Sequence, residues 1–334
     1  MTLKIIFILL ILIIFPCANA YTANTSDYVI VYSSVDQEFS EPILKQFEKQ
    51  SGIKVKAVYD AEASKTVGLE RRLISEKSRP KADVFWNSEH LRTFKLASLG
   101  VLAPYASANA KSIPASYRAG DNLWTGFGIR ARVFIVNNKL VPKNQMPAKL
   151  TDLADPKWKG KIVIAKPTIG TTSTHFASLY ARMGEKKYIE FLKALKANHV
   201  AILPGNSDVK DAVVAGKYAF GLTDSDDVFV AQQKKAPVSM VYPDQGGEGS
   251  FEIIYTVSMI KGGPNPENAK KLIDYLTSPK VAQELIASGA VMYSVQQPVS
   301  AGTKEKLPKF WRASGNELLK ALEPSAKLIR AHLD

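Results

Sequence analysis

The sequence predicts an α/β fold of two doubly wound lobes with a central cleft. Three observations carry the prediction. β-rich runs and amphipathic helices alternate from Tyr28 onward, a second such series follows the Pro- and Ala-rich stretch 103–119, and two long β-rich runs (127–137 and 251–260) are placed to join the two series. Strand–helix–strand units with short connections favour a parallel sheet with helices on both faces. At roughly 100–200 residues per domain, the 334 residues suit about two domains.

The elements follow in order. The run 28–32 (YVIVY) is a buried strand by composition. From Ser40, the positions Ile43, Leu44 and Phe47 share one helical face, and Ser51-Gly52 ends that helix. A second strand spans 53–59. Ser64-Lys65-Thr66 opens a helix over 67–74, and a third strand covers 83–86, with Asn87, Ser88 and Glu89 capping the next helix. In the second series, strand 127–137 leads through Trp158-Lys159-Gly160 to strand 161–165. Helices 171–183 and 185–196, strand 200–203, helix 207–215 and strand 218–223 come next. After strand 251–260 the tail is helical over 269–276, 281–288 and 318–333. The expected division is lobe 1 from 28–125 plus 256–334 and lobe 2 from 126–255, with connecting segments near 124–137 and 251–260 and the tail returning to the first lobe.

Residues 1–20 read as an export signal. Lys4 precedes an apolar run over 5–15, and Ala18-Asn19-Ala20 has the small-x-small form that a signal peptidase cleaves. Eleven apolar residues are too few to span a bilayer core, which needs about 20. A lipid anchor on Cys17 is the alternative. No later stretch is long and apolar enough for a membrane helix, so the expectation is a periplasmic protein that is not membrane-embedded. Cys17 is the single cysteine, which excludes a disulfide framework, an iron–sulfur cluster and a CxxC zinc site. The net charge of +13 comes from lysines spread along the chain. There is no arginine-rich arm or basic stripe interleaved with aromatics, so no nucleic-acid partner is expected.

In an open α/β sheet, ligands bind at the carboxyl ends of the strands. Those ends are polar throughout: Ser34 and Asp36, Asp60, Asn87 and Glu89, the segment 167–173, Asn206, and Thr223 to Asp227. Thr171, Thr172 and Ser173 follow a glycine at a helix start, where free N–H groups and hydroxyls cradle an anion or simply cap the helix. Asn206 and Lys65 stand at two further helix starts. Asp224, Asp226 and Asp227 repel one another unless a cation, an arginine or a helix dipole compensates. The expected compensation is a bound metal ion on Asp224 and Asp226, or an ammonium group. Trp86 and Tyr255 are candidates to stack on a ligand, or else core residues. No nucleophile elbow, P-loop or zincin motif occurs, so no catalytic residues are expected. A secreted metal-dependent hydrolase using the three acids is the competing reading.

Several segments resemble the periplasmic solute-binding proteins of ferric-iron-binding type: 29–33 (VIVYS), 47–55 (FEKQSGIKV), 59–69 (YDAEASKTVGL), 82–89 (ADVFWNSE), 150–161 (LTDLADPKWKGK), 221–227 (GLTDSDD) and 265–276 (NPENAKKLIDYL). The resemblance covers about 28–300. It implies a type II periplasmic-binding-protein fold and the receptor of an ABC importer, which closes two lobes on one solute and hands it to a permease. Iron-binding members hold Fe(III) with adjacent tyrosines, a histidine, and a glutamate or synergistic anion. In this sequence the tyrosine-pair position falls at about Ser225-Asp226 and the histidine position near Asp36, and no Tyr-Tyr occurs. Relatives in the group carry phosphorylated sugars, aminophosphonates or thiamine. The expected cargo is therefore an anionic organic solute, with Fe(III) plus an anion as the alternative and no resident cofactor.

Overall fold

The computed structural model describes residues 27–61, 64–296 and 308–333. The expected export signal and Cys17 lie outside the described residues. The chain runs β1 (Tyr28–Ser33), α1 (Gln37–Ser51), β2 (Lys54–Tyr59), α2 (Val67–Ser75), β3 (Val84–Asn87), α3 (Leu91–Ser98) and β4 (Leu102–Ala103). β5 (Thr125–Asn137) then crosses to the second half, followed by β6 (Ile162–Ala165), α4 (Gly170–Ala197), β7 (Ala201–Leu203), α5 (Asn206–Val214), β8 (Phe220–Asp224), α6 (Ser225–Gln233) and β9 (Val238–Val241). β10 (Ser250–Ile260) crosses back. α7 (Pro266–Leu276), α8 (Pro279–Ser288), β11 (Tyr293–Ser294), β12 (Phe310–Trp311) and α9 (Gly315–His332) complete it.

Three helical breaks lie where the sequence demands them. Gly52 takes a left-handed φ of 74° and its N–H bonds Glu48 O, which ends α1. Gly184, with φ 73° and ψ 162°, breaks α4 into two helical runs, as the sequence expected. Ser314 and Glu317 close a reciprocal capping box on α9.

The strand order is β2-β1-β3-β10-β5-β8-β6-β7. β1 pairs in parallel with β2 and β3, and β6 with β7 and β8, giving two doubly wound halves. The antiparallel strands β5 and β10 join them. The first stretch of β5, Thr125 to Ala131, pairs with β10, and the rest, from Arg132 to Val136, with β8. β5 thus changes partner between Ala131 and Arg132, deep in the molecule, where all of its side chains are buried.

The first half packs Val29, Val31, Phe47 and Trp86 against Leu272, Leu276 and Leu285 of α7 and α8. The second packs Phe134, Ile164, Phe176, Leu192 and Phe220. The tail divides between them. α7 and α8 lie on the first half, where 256–334 was expected, but α9 lies along α4. Ile329 and Leu333 enter the second core, while Leu318 and Ala321 meet Leu91 of α3 and Ala177 of α4. α9 therefore straps both halves. Among the described residues no helix is long and apolar enough to cross a membrane.

Candidate functional site

β1, β3, β6 and β8 end around one cleft, and the crossing strand β5 runs behind it. Side chains alternate along a strand, so Arg130 and Arg132 share a face at the partner change. Both are buried, at 4% and 0% exposure. Arg130 Nη1 lies 2.6 Å from Asp226 Oδ2 and 3.2 Å from Asp224 Oδ2, and its Nη2 donates to Ser88 O at 2.9 Å. Arg132 Nη1 contacts Asp224 Oδ1 (2.5 Å), Asn206 Oδ1 (3.1 Å) and Thr171 Oγ1 (3.2 Å). The Tyr255 ring lies 4.9 Å from the Arg130 guanidinium.

These arginines supply compensation that the sequence reading assigned to a bound cation. Oxygens of Asp224, Asp226 and Asp227 lie within 4.8 Å of one another. Burial works to raise Asp224, but Arg130 and Arg132, with the hydroxyl of Thr171, hold it below the usual carboxylate value. Asp226 is pushed up to about 6 by burial and the charges of Asp224 and Asp36, against Arg130 and Lys65. Asp227 is driven well above its ordinary value by burial and by both neighbouring acids, and it accepts from Thr223 Oγ1 at 2.6 Å. The arginines thus favour the charged form of Asp224, whereas burial and mutual repulsion favour the neutral forms of Asp226 and Asp227. Asp226 Oδ1, buried, has no hydrogen-bond partner.

The cleft is lined by seven of the expected residues: Asp36, Lys65, Thr171, Thr172, Asn206, Asp224 and Asp226. Lys65 pairs with Asp36. Thr171 Oγ1 donates to Asp224 Oδ2 at 2.7 Å and Thr172 Oγ1 to Asn206 Oδ1 at 3.3 Å, so Thr171 stands beside an acid and Thr172 beside Asn206. Arg130, Ser88 and Asp227 also line it; Arg130 and Arg132 went unseen in the sequence. Their signal was present: two arginines alternating in an otherwise apolar strand must find buried acids.

The other expected residues stand behind or beside the cleft. Ser34 Oγ donates to Asn87 Oδ1 (2.6 Å) and accepts from Ser88 N (2.9 Å), bracing Ser88. Asp60 accepts from Leu69 N and Ser64 Oγ at the start of α2. There Thr66 holds a left-handed φ of 65°, a strained conformation for a β-branched residue. Glu89 caps α3, accepting from Leu91 N (2.6 Å) and Arg92 N (2.9 Å). Thr223 hydrogen-bonds Asp227. Trp86 and Tyr255 are corrections to the stacking expectation: both are fully buried and pack with Phe127, leaving no ring face for a ligand. Ser173 faces away from the cleft and accepts from Arg92 Nη2 at 2.9 Å.

The halves meet directly. Gly170 N donates to Lys65 O (3.1 Å), Thr174 Oγ1 to Glu89 Oε2 (2.8 Å), and Arg92 to Ser173. The space left in the cleft is about 30 Å³, enough for a water-sized species. In this arrangement the cleft has no room for an organic solute.

Comparison with known proteins places the chain among relatives. A family model described as bacterial extracellular solute-binding protein matches residues 79–312. Iron uptake protein A1 of Synechocystis sp. is 29% identical over 329 residues, covering 93% of this chain and 88% of the relative. A putative 2-aminoethylphosphonate-binding periplasmic protein of Salmonella typhimurium is 28% identical over 290 residues, covering 84% and 82%. The apo ferric ion-binding protein A of Pasteurella haemolytica superposes with a TM-score of 0.80 at 27% identity, covering 92% of this chain and 98% of that one.

Proposed function

The chain belongs to the bacterial extracellular solute-binding protein family, and from that premise we propose that it serves an ABC importer in the periplasm as the receptor for a small zwitterionic oxyanion, of which an aminophosphonate is the type. It is a binding protein and not an enzyme, as are its relatives, so the hydrolase reading falls. The observation that carries the cargo is the side-by-side placement of opposite charges on one cleft wall. Arg130, with Lys65 and the hydroxyls of Thr171 and Thr172, offers donors to a phosphonate. Asp226, whose Oδ2 is bonded to Arg130 and whose Oδ1 is unpartnered, offers an acceptor to an ammonium. A cargo of high net charge leaves buried charge uncompensated, whereas a zwitterion exchanges one ion pair for another.

Capture proceeds by hinge motion. The halves part around β5 and β10, the solute takes over contacts such as Lys65–Asp36 and Arg130–Asp226, and closure restores the bonds between Thr174 and Glu89. The permease then reads the closed form. The 2-aminoethylphosphonate relative supports this reading.

Fe(III) is the second reading, favoured by the iron relatives and the three clustered acids. Against it, Asp224 and Asp226 are already matched to Arg130 and Arg132, and no tyrosine lines the cleft among the described residues. Differential scanning fluorimetry against 2-aminoethylphosphonate, fructose 6-phosphate, thiamine and ferric citrate tests the choice. We expect the largest rise in Tm with the aminophosphonate; a rise with iron alone, accompanied by a visible charge-transfer band, overturns it.

A further inference from the structure

On the far side of Ser173 from the cleft lies a second recess of about 170 Å³, walled by α2, α3, the 167–173 segment and α9. We propose that this recess is a separate site for a small inorganic or carboxylate oxyanion, and that its occupation favours the closed arrangement of the two halves.

The charge of the walls points to an anion. Arg71, Arg92, Lys95 and Arg330 line the recess with two acids, Glu70 and Glu323, and a third, buried Glu89, stands behind Arg92. Glu70 is fully engaged, accepting from Arg92 Nη1 at 3.0 Å and Lys95 Nζ at 2.6 Å. Glu323 lies 3.9 Å from Arg330, at the limit of an ion pair. Arg71 has no carboxylate within ion-pair distance among the described residues. A guanidinium with no carboxylate partner, Arg71, beside one that is only loosely paired, Arg330, around a concave space attracts a planar or tetrahedral oxyanion, because each presents a fork of N–H donors.

The wall is built, not merely a surface cluster. Arg92 is 5% exposed, fixed on one side by Glu70 and on the other by Ser173 Oγ, and its Nε lies 3.9 Å from the buried Glu89. Its guanidinium is therefore held rigid, with little entropy left to lose on binding. Thr168 adds a hydroxyl from the second half.

The location gives the consequence. Arg71 belongs to the first half, Thr168 to the second, and Arg330 to the helix that straps both. An anion touching all three binds the closed form more tightly than the open one, where these walls separate. By linkage, it then tightens cargo binding in the cleft by the same factor that cargo tightens the anion.

Selenate is the probe, since its anomalous scattering reports position. In crystals soaked with selenate we expect a peak between Arg71 and Arg330 that vanishes in the Arg71→Gln/Arg330→Gln variant. In solution, selenate should raise the Tm of the wild type, and the variant should bind it about tenfold more weakly, the loss expected for charge-assisted bonds. The variant's own Tm without selenate verifies its folding, both side chains being largely exposed. No peak in the recess, or one that persists in the double variant, overturns the proposal. A peak that changes neither Tm nor the scattering-derived radius of gyration means an adventitious ion only, and overturns the coupling. A selenate peak at Arg130, present or absent, bears on the cleft reading alone.

Discussion

Arg132 stands opposite Asp224 in the β5–β8 register, and its Nη1 sits 2.5 Å from Asp224 Oδ1 with neither side chain open to water. This pair pins the strand that links the halves to the strand that carries the acids. Removing one partner strands the other in a medium where a lone charge is costly. Arg132→Ala should therefore lower stability by about 3–5 kcal/mol, the range for a broken buried pair, measured by urea denaturation. The Arg132→Met/Asp224→Leu double variant should recover much of that loss. A double variant as weak as the single would show that the pair does not act as a unit.

Asp226 sets a pH dependence whose sign follows from its raised pKa of about 6. A carboxyl with a raised pKa binds its proton more tightly folded than unfolded, where it titrates near 3.9. Its contribution to stability is thus greatest below pH ~4 and is lost as pH rises toward 6. Asp224, held low, acts oppositely, contributing above its unfolded value and fading as pH falls. Asp226→Asn should gain on the wild type steadily between pH 4 and pH 7, read from urea midpoints. A constant difference across that window would mean that Asp226 does not titrate there.

The same titration should appear in binding. An ammonium needs the ionised carboxylate, so affinity for 2-aminoethylphosphonate should rise through pH 6 in the wild type. In Asp226→Asn the affinity should be weaker, and any remaining pH slope should be that of the phosphonate itself. Calorimetry at pH 5, 6 and 7 makes the comparison, and superimposable slopes for the two proteins would detach Asp226 from the cargo.

How much of this was legible in the sequence depends on the kind of signal. The alternation of elements was plain, because runs such as Val29 to Tyr32 and the face Ile43–Leu44–Phe47 carry their period in the residues themselves. The acids were visible too, since Asp224, Asp226 and Asp227 crowd one strand end. Arg130 and Arg132 were hidden because an apolar run such as 127–137 draws attention to its burial, and their partners lie about 90 residues away. Trp86 and Tyr255 were misplaced for the converse reason: a strand's end says where it stops, not which face its last side chains take. α9 packs on α4 through Ile329 and Leu333, which its own periodicity marks as buried without saying against what.

Thr174 tests the latch between the halves. Its hydroxyl donates to Glu89 across the two halves, with both side chains buried. Thr174→Val keeps the shape and removes the donor, so it should cost about 1 kcal/mol and shift small-angle scattering of the unliganded protein toward a larger radius of gyration. An unchanged profile would mean that closure rests on other contacts.

Gly221 tests the seating of β8. A Cβ there meets Val209 Cγ1 at 2.6 Å and Val163 O at 2.9 Å. The Val163 carbonyl belongs to the neighbouring strand and has little room to move. Gly221→Ala should destabilise by roughly 1–3 kcal/mol, as overpacking does, and weaken cargo binding by displacing Asp224. Thermal denaturation and calorimetry check both, and full retention of either would contradict the tight seating.

The most direct measurement is a crystal structure of the protein grown with 2-aminoethylphosphonate. Phosphonate oxygens are expected in contact with Arg130 and a hydroxyl of Thr171 or Thr172, with the amine on Asp226. A metal ion held by Asp224, Asp226 and Asp227, with the phosphonate elsewhere or missing, would contradict the account.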